Sequence, residues 1–359
     1  MPMSLPNSPD AIDAAYLEPL LRDYSGEPHQ KLAGFSVQRL DKGTSGAELY
    51  LVAIASAPGS EPSRFVLKIG GGQKEVYFYR ELASRLPVDT PRVLDARMID
   101  NGRAWLLMEE IAGVKDGLDW EEADYKAVLA GMARLHAQFW TRTNLLGDCS
   151  WLWRPDDRSL QELVAARRSD VAALTAAGLP EALPEVFGAD RLALAAHLLE
   201  QPEKLFGPLL AAGTTLVHGD YWFHNVQVTG TGRIVLVDWQ DPQVWSGLWE
   251  LAYFLNLLLP VSAGVYRERL PVDEDLMIGW YADALADAGV ALPKSDFDAA
   301  LLSARVWHPL QHWIRQYSYA VTQGLLPTEG VQETRSAAVR FLTTTFARWE
   351  QDAHALLNM

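Results

Sequence analysis

Five short runs rich in Val, Leu and aromatic residues crowd into the chain ahead of Gly113, at Phe35–Leu40, Leu49–Ala55, Arg64–Ile69, Arg92–Met98 and Ala104–Glu109. Gly, Ser and Pro separate them, so they read as strands. The run Gly70-Gly71-Gly72 ends the third, and a helix is expected from Gln73 to Leu86. Ahead of the strands, Asp10 to Tyr24 carries Ile12, Tyr16, Leu20 and Leu21 along one helical stripe. Beyond Gly113 the pattern becomes helical, at Glu121–Phe139, Leu160–Ala177, Arg191–Leu205, Asp273–Ala288, Phe297–Gln323 and Thr328–Leu357. One β-rich island interrupts it, Thr214–Asp238, with two short strands around the turn Thr229-Gly230-Thr231-Gly232. An α+β chain in two parts is expected: residues 1–112 as sheet with one internal helix, and 113–359 as the larger, mostly helical part, with the boundary within Ile111–Gly117.

Composition removes several function classes. The 359 residues hold 46 Asp and Glu against 31 Lys and Arg, a net charge of −15. Non-specific binding to polyphosphate or anionic lipid needs a surplus of cations, so neither nucleic acid nor a membrane surface is an expected partner. The single cysteine, Cys149, excludes an internal disulfide framework and a multi-cysteine metal site. Met1–Pro9 lacks the basic start and apolar stretch of a signal peptide, and a reducing, cytoplasmic setting is expected. The most apolar run, Leu248–Val265, carries Glu250, Asn256 and Pro260, which suits a buried helix rather than a membrane span.

The stretch Leu216–Leu255 carries the chemistry. It contains His218-Gly219-Asp220, then Asn225, then Asp238 at the end of the apolar strand Ile234–Val237. Two strands flanking a Gly-containing turn bring Asn225 and Asp238 near one point, with Asp220 on a loop just upstream. Two oxygen ligands there suit Mg²⁺, which takes few protein ligands and fills its shell with water and substrate phosphates. A further carboxylate nearby can accept the proton of an attacking hydroxyl. Phosphoryl transfer needs little beyond this positioning, charge neutralisation and base, and the spacing of catalytic Asp and Mg²⁺-binding Asn matches the kinase template with Gly219 in place of Arg. Taken singly, each residue reads better as part of a tight turn or a cap, and only their joint spacing outweighs that reading.

Together these residues resemble the motif of the aminoglycoside phosphotransferase and choline kinase superfamily, and the tail Asp238-Trp239-Gln240 resembles its ecdysteroid-kinase-like branch most closely. The resemblance implies a two-lobed protein-kinase-like fold, with an antiparallel sheet and one helix in the small lobe. It implies an ATP- and Mg²⁺-dependent small-molecule kinase, with Asp220 as catalytic base and Asn225 and Asp238 as metal ligands. It makes His218 a structural residue of the catalytic loop. It also implies a strand-borne lysine, which Lys68 supplies, and a helix glutamate paired with it, for which Glu75 is the candidate and Glu81 the rival. Gly43, Thr44 and Ser45 lie where such proteins cover the phosphates, although a plain hairpin turn reads the same. Ala104–Gly113 resembles the family's hinge strand, with backbone groups of Glu109 and Ile111 on the adenine edge and Met108 behind it. His136, in Leu135-His136-Ala137, is expected to serve packing as a satisfied core or inter-helix histidine.

Two departures stand out. The family usually has an Asp that braces the catalytic loop where this chain has Glu250, in Trp249-Glu250-Leu251-Ala252-Tyr253. Trp222, Phe223, Trp239 and Trp245 crowd the motif. The acceptor is not readable; the acidic balance favours a neutral or cationic one. Trp249, Trp307 and Trp313 read as core or as an aromatic pocket, and His308, His312 and Arg315 share a helical face that could meet an acceptor. A nucleotide-binding protein without activity is the alternative reading, but Lys68, Asp220, Asn225 and Asp238 are all present. A protein kinase fits poorly without Asp-Phe-Gly and Ala-Pro-Glu segments.

Overall fold

The computed structural model describes residues 5–40, 46–99, 102–262, 265–266, 270–324 and 332–359. The chain divides into two compact units, Met1–Asp116 with Asn225–Pro242, and Gly117–His224 with Gln243–Met359. The division after Asp116 falls inside the expected Ile111–Gly117 span, while the Asn225–Pro242 segment clusters with the first unit rather than the helical one. Backbone hydrogen bonds explain why: Lys115 N–H donates to Val228 O at 2.8 Å, Gly230 N–H to Gly113 O at 2.9 Å and Leu236 N–H to Asp89 O at 2.9 Å.

In the first unit, β1 (Gly34–Leu40), β2 (Glu48–Ala55), β3 (Ser63–Gly70), β4 (Val93–Met98) and β5 (Ala104–Glu109) form one sheet in the order β1-β2-β3-β5-β4. Every neighbouring pair is antiparallel. Alternation along β3 sends Phe65, Leu67 and Ile69 to one face, where they pack with Val52, Ile54, Trp105, Leu107 and helical Tyr16, Leu17 and Leu21. Lys68 therefore points to the opposite face, the one on which Val76, Leu106 and Met108 cluster. The first helix runs Ala14–Ser25 rather than from Asp10, because the Asp13 side chain accepts from Tyr16 N–H and caps it. Its end is fixed by Gly26 at φ 74.

The helix expected at Gln73–Leu86 changes winding along its length, α over Gln73–Tyr77, π over Phe78–Leu82 and 3₁₀ over Ala83–Arg85. Strands Val226–Val228 and Ile234–Leu236 form the expected hairpin, with Gly232 at φ 79 in its turn.

The second unit is helical, and its helices break where proline or a change of winding intervenes. The run expected at Arg191–Leu205 is two helices, Ala189–Leu199 and Pro202–Ala211, divided ahead of Pro202. The run expected at Phe297–Gln323 is Lys294–Pro309, a π turn at Leu310–Ile314, and Arg315–Thr322. Thr215–Val217 pairs antiparallel with Gln243–Trp245, a strand too short for periodicity to reveal. Trp245, Trp249, Trp307 and Trp313 are buried in this unit's core. Among the described residues, no helix is long and apolar enough to cross a membrane.

Candidate active site

The first unit gathers three of the expected residues. Lys68 is buried in the central strand, with its ammonium 2.8 Å from Glu75 Oε2 and 2.7 Å from Asp238 Oδ1. Glu75, not the exposed Glu81, is thus the helix carboxylate that meets it. Burial pushes the Glu75 carboxyl up to about 7, with Asp238 adding to the rise, while Lys68 and a hydrogen bond from the Trp239 N–H oppose it. For Lys68, burial pulls the ammonium down, but the two carboxylates outweigh it and the net direction is up. The cation persists because each neighbour is an anion or becomes one at the cost of a proton.

Asn225 and Asp238 are set by the hairpin. Val226 faces Leu236, and one step outward Val237 N–H donates to Asn225 O at 2.9 Å. Asp238 follows directly, in the left-handed region at φ 62, which a non-glycine residue adopts at a cost. Trp239 then stacks on Phe78, ring centroids 4.0 Å apart and planes 10° apart, anchoring the turn to the helix that carries Glu75. The donor set is one amide oxygen and one carboxylate, hard ligands that fit Mg²⁺ completed by water and phosphate. Among the described residues there is no cluster of three His, Cys, Asp or Glu.

Met108 is buried in β5 behind this face. The Glu109 N–H is committed to Arg92 O at 2.9 Å, so the backbone group it has left to offer an adenine edge is its carbonyl oxygen. Ile111 follows the strand in a half-buried position. Gly43, Thr44 and Ser45 lie outside the described residues, between the paired ends Leu40 and Leu49 of β1 and β2.

In the second unit, His218-Gly219-Asp220 leaves the strand Thr215–Val217, with Gly219 at φ 86. The Gly247–Asn256 helix braces it through Glu250, which is fully buried. His218 N–H donates to Glu250 Oε2 at 3.1 Å and Gly219 N–H to Oε1 at 2.7 Å. The longer side chain therefore reaches the loop backbone that an Asp is expected to hold. His136 lies behind it, Nε2 2.9 Å from Glu250 Oε2 and Nδ1 2.8 Å from the Tyr281 hydroxyl. His136 is thus the buried, satisfied inter-helix histidine expected, tying Glu250 to the helix of Tyr281. The Tyr253 hydroxyl donates to Asp220 Oδ1. Sequence reasoning missed Tyr253, although its place three residues after Glu250 puts both on one helical face.

His308 and His312 stack with ring centroids 5.3 Å apart, and both flank the Tyr253 ring. Burial holds His308 well below the ordinary histidine range and pushes His312 down to about 4, with Arg315 adding to the latter. Arg315 itself is exposed.

A family model described as the phosphotransferase enzyme family matches residues 37–270. Among solved structures, an aminoglycoside phosphotransferase from Alicyclobacillus acidocaldarius is 13% identical, with a TM-score of 0.55 over 89% of this chain and 91% of that one. A microcompartment-associated aminopropanol kinase is 16% identical, with a TM-score of 0.54 over 90% of this chain and 94% of that one. A choline kinase from Cryptosporidium parvum is 13% identical, with a TM-score of 0.53 over 96% and 97%. The fold is therefore the kinase-like one that these proteins share. These likenesses reach the level of the superfamily and do not single out the ecdysteroid-kinase-like branch. No curated protein sequence matches the chain.

Proposed function

We propose that this chain, which belongs to the phosphotransferase enzyme family, transfers the γ-phosphoryl group of ATP to a hydroxyl of a small-molecule acceptor. The observation that carries the reading is the buried Lys68, a cation held between the buried Glu75 carboxyl and the half-buried Asp238 carboxylate. A structural role alone favours apolar packing there, because desolvating the Lys68–Glu75 pair costs more than its attraction returns in most settings. A site that must receive phosphates needs the cation ready and oriented.

In this reading Lys68, oriented by Glu75, binds the α- and β-phosphates. Asn225 and Asp238 hold Mg²⁺, which supplies charge neutralisation on the phosphates when bound. Met108 and the backbone of Glu109 and Ile111 receive the adenine, and Gly43, Thr44 and Ser45 cover the phosphates. Asp220 accepts the proton of the acceptor hydroxyl, which orients the oxygen for attack on phosphorus. The ADP and GDP bound in two of the similar solved structures support a nucleotide donor. Aminoglycosides, choline and aminopropanol, named for other relatives, make amino alcohols the first acceptors to try. The buried lone Cys149 suits a reducing, cytoplasmic setting.

The test is ADP release from Mg-ATP across aminoglycosides, macrolides, choline, aminopropanol, homoserine, simple sugars and sterol-like alcohols, with Asp220→Asn as control. Turnover with one class, reduced roughly 10²-fold or more in the control at unchanged nucleotide affinity, is expected. Retained turnover in Asp220→Asn overturns the role given to that residue. Failure of Mg-ATP to bind overturns the function.

A further inference from the structure

The Gly247–Asn256 helix holds the His218-Gly219-Asp220 loop at two points, not one. Glu250 accepts from the backbone N–H groups of His218 and Gly219. One turn further on, Tyr253 donates its hydroxyl to the Asp220 side chain. The first contact fixes the path of the loop; the second fixes the rotation of its carboxylate. The phenol is itself held in place. Its ring meets His308 at 5.2 Å and His312 at 5.8 Å, both near perpendicular, and lies 5.4 Å from Trp249. His308 is fully buried, and Tyr253 is 7% exposed, so the collar has little room to relax.

We propose that Tyr253 is a positioning residue for phosphoryl transfer, its hydroxyl holding the Asp220 carboxylate in the rotation that meets an acceptor hydroxyl. The inference rests on reading Asp220 as the base. An aspartate carboxylate turns about two side-chain bonds, and each unproductive rotamer lowers the fraction of bound complexes that can react. A donor placed on one oxygen by a rigid aromatic collar selects one rotamer before the acceptor arrives. Ring packing alone does not require the hydroxyl, because phenylalanine fills the same collar. The oxygen is therefore the part of the side chain that this role explains.

Tyr253→Phe removes that oxygen and little else. With Mg-ATP and whichever panel acceptor gives turnover, or water where none does, kcat should fall roughly ten- to a hundredfold, as expected for losing a hydrogen bond to a charged group. KM for Mg-ATP and the melting temperature should stay at wild-type values. In the Asp220→Asn background the same substitution should produce no further loss, since a positioning residue acts only through the group it positions. Wild-type kcat in Tyr253→Phe, with Asp220→Asn inactive, overturns this inference and leaves the proposed function standing. A kcat loss matched by a fall in melting temperature, or one that adds to that of Asp220→Asn, overturns it as well. Full turnover in Asp220→Asn removes instead the reading beneath it.

Discussion

Lys68 Nζ lies 2.7 Å from Asp238 Oδ1, joining positions 170 residues apart in the chain. The contact exists because β3 turns Lys68 away from its aliphatic neighbours and because the backbone at Asp238 takes a left-handed turn. Glu75 completes the arrangement from the helix that follows β3.

Replacing Lys68 with Met should destabilise the fold by about 3 kcal/mol, because the buried Glu75 carboxyl loses the cation that offsets its burial. Glu75→Gln added to that variant should recover part of the loss by removing one orphaned charge. Urea unfolding of the single and double variants measures both effects. An unchanged midpoint for Lys68→Met contradicts the energetic role given to the Lys68–Glu75 pair.

Asp238→Asn and Asn225→Ala should each weaken nucleotide binding in Mg²⁺ by at least about tenfold, the scale of losing one charge-assisted contact. In EDTA Asn225→Ala and wild type should bind ATP alike. Isothermal titration with and without Mg²⁺ distinguishes them. A loss that is equal in both conditions would assign these residues to folding rather than to metal.

Glu250→Gln should cost about 2 kcal/mol, because an amide nitrogen turned toward the loop leaves buried N–H donors without an acceptor. Turnover should fall with it, since the same carboxylate sets the path of His218 and Gly219. Glu250→Asp keeps the charge but shortens the reach, and its loss should be similar. Chemical denaturation together with steady-state rates checks the pair. A fully stable and active Asp variant would show that the longer side chain is not what the loop depends on.

Much of this was legible in the sequence, for identifiable reasons. The five strands before Gly113 are bounded by Gly, Ser and Pro, so their limits fall within a residue or two of β1 to β5. Asn225 and Asp238 could be placed together because a hairpin with a Gly-containing turn fixes the register of its ends. The Lys68–Glu75 pair followed from a motif, not from periodicity, which cannot tell a buried cation from a rim charge. Tyr253 was hidden because a tyrosine inside an apolar helix looks like core. The assignment of Asn225–Pro242 to the first unit was hidden because backbone hydrogen bonds to Gly113 and Asp89 leave no mark on residue type.

His308 supplies a pH signature. Its ring is buried, no hydrogen-bond partner meets either nitrogen, and burial keeps it neutral in the folded chain. An unfolded histidine binds a proton as pH falls through about 6.5, while the folded one does not. Its neutral form is therefore fully compatible with folding above that pH, and stability is lost as pH falls below it. The slope should reach at most about 1.4 kcal/mol per pH unit for each such histidine. His308→Leu should flatten the slope between pH 7 and pH 5 and cost little at pH 7, since no hydrogen bond is lost. The comparison between the two proteins isolates this group, because Glu75, raised to about 7, acts in the opposite sense in both. Equal slopes would place the proton elsewhere.

The first unit is assembled from two stretches of chain, Met1–Asp116 and Asn225–Pro242. On the ribosome these are separated in time. Lys68 and Glu75 emerge early and can pair, yet Asp238 reaches them only after every intervening residue has been made. Until then the first unit lacks the hairpin that bonds to Asp89, Gly113 and Lys115, and Lys68 has one of its two carboxylates. Closing so long a loop costs entropy before any contact rewards it, which makes hairpin docking a late and slow event. A nascent chain that has not yet released Asp238 holds Lys68 against Glu75 alone, so the three-residue arrangement is completed late in synthesis although two of its members are made early.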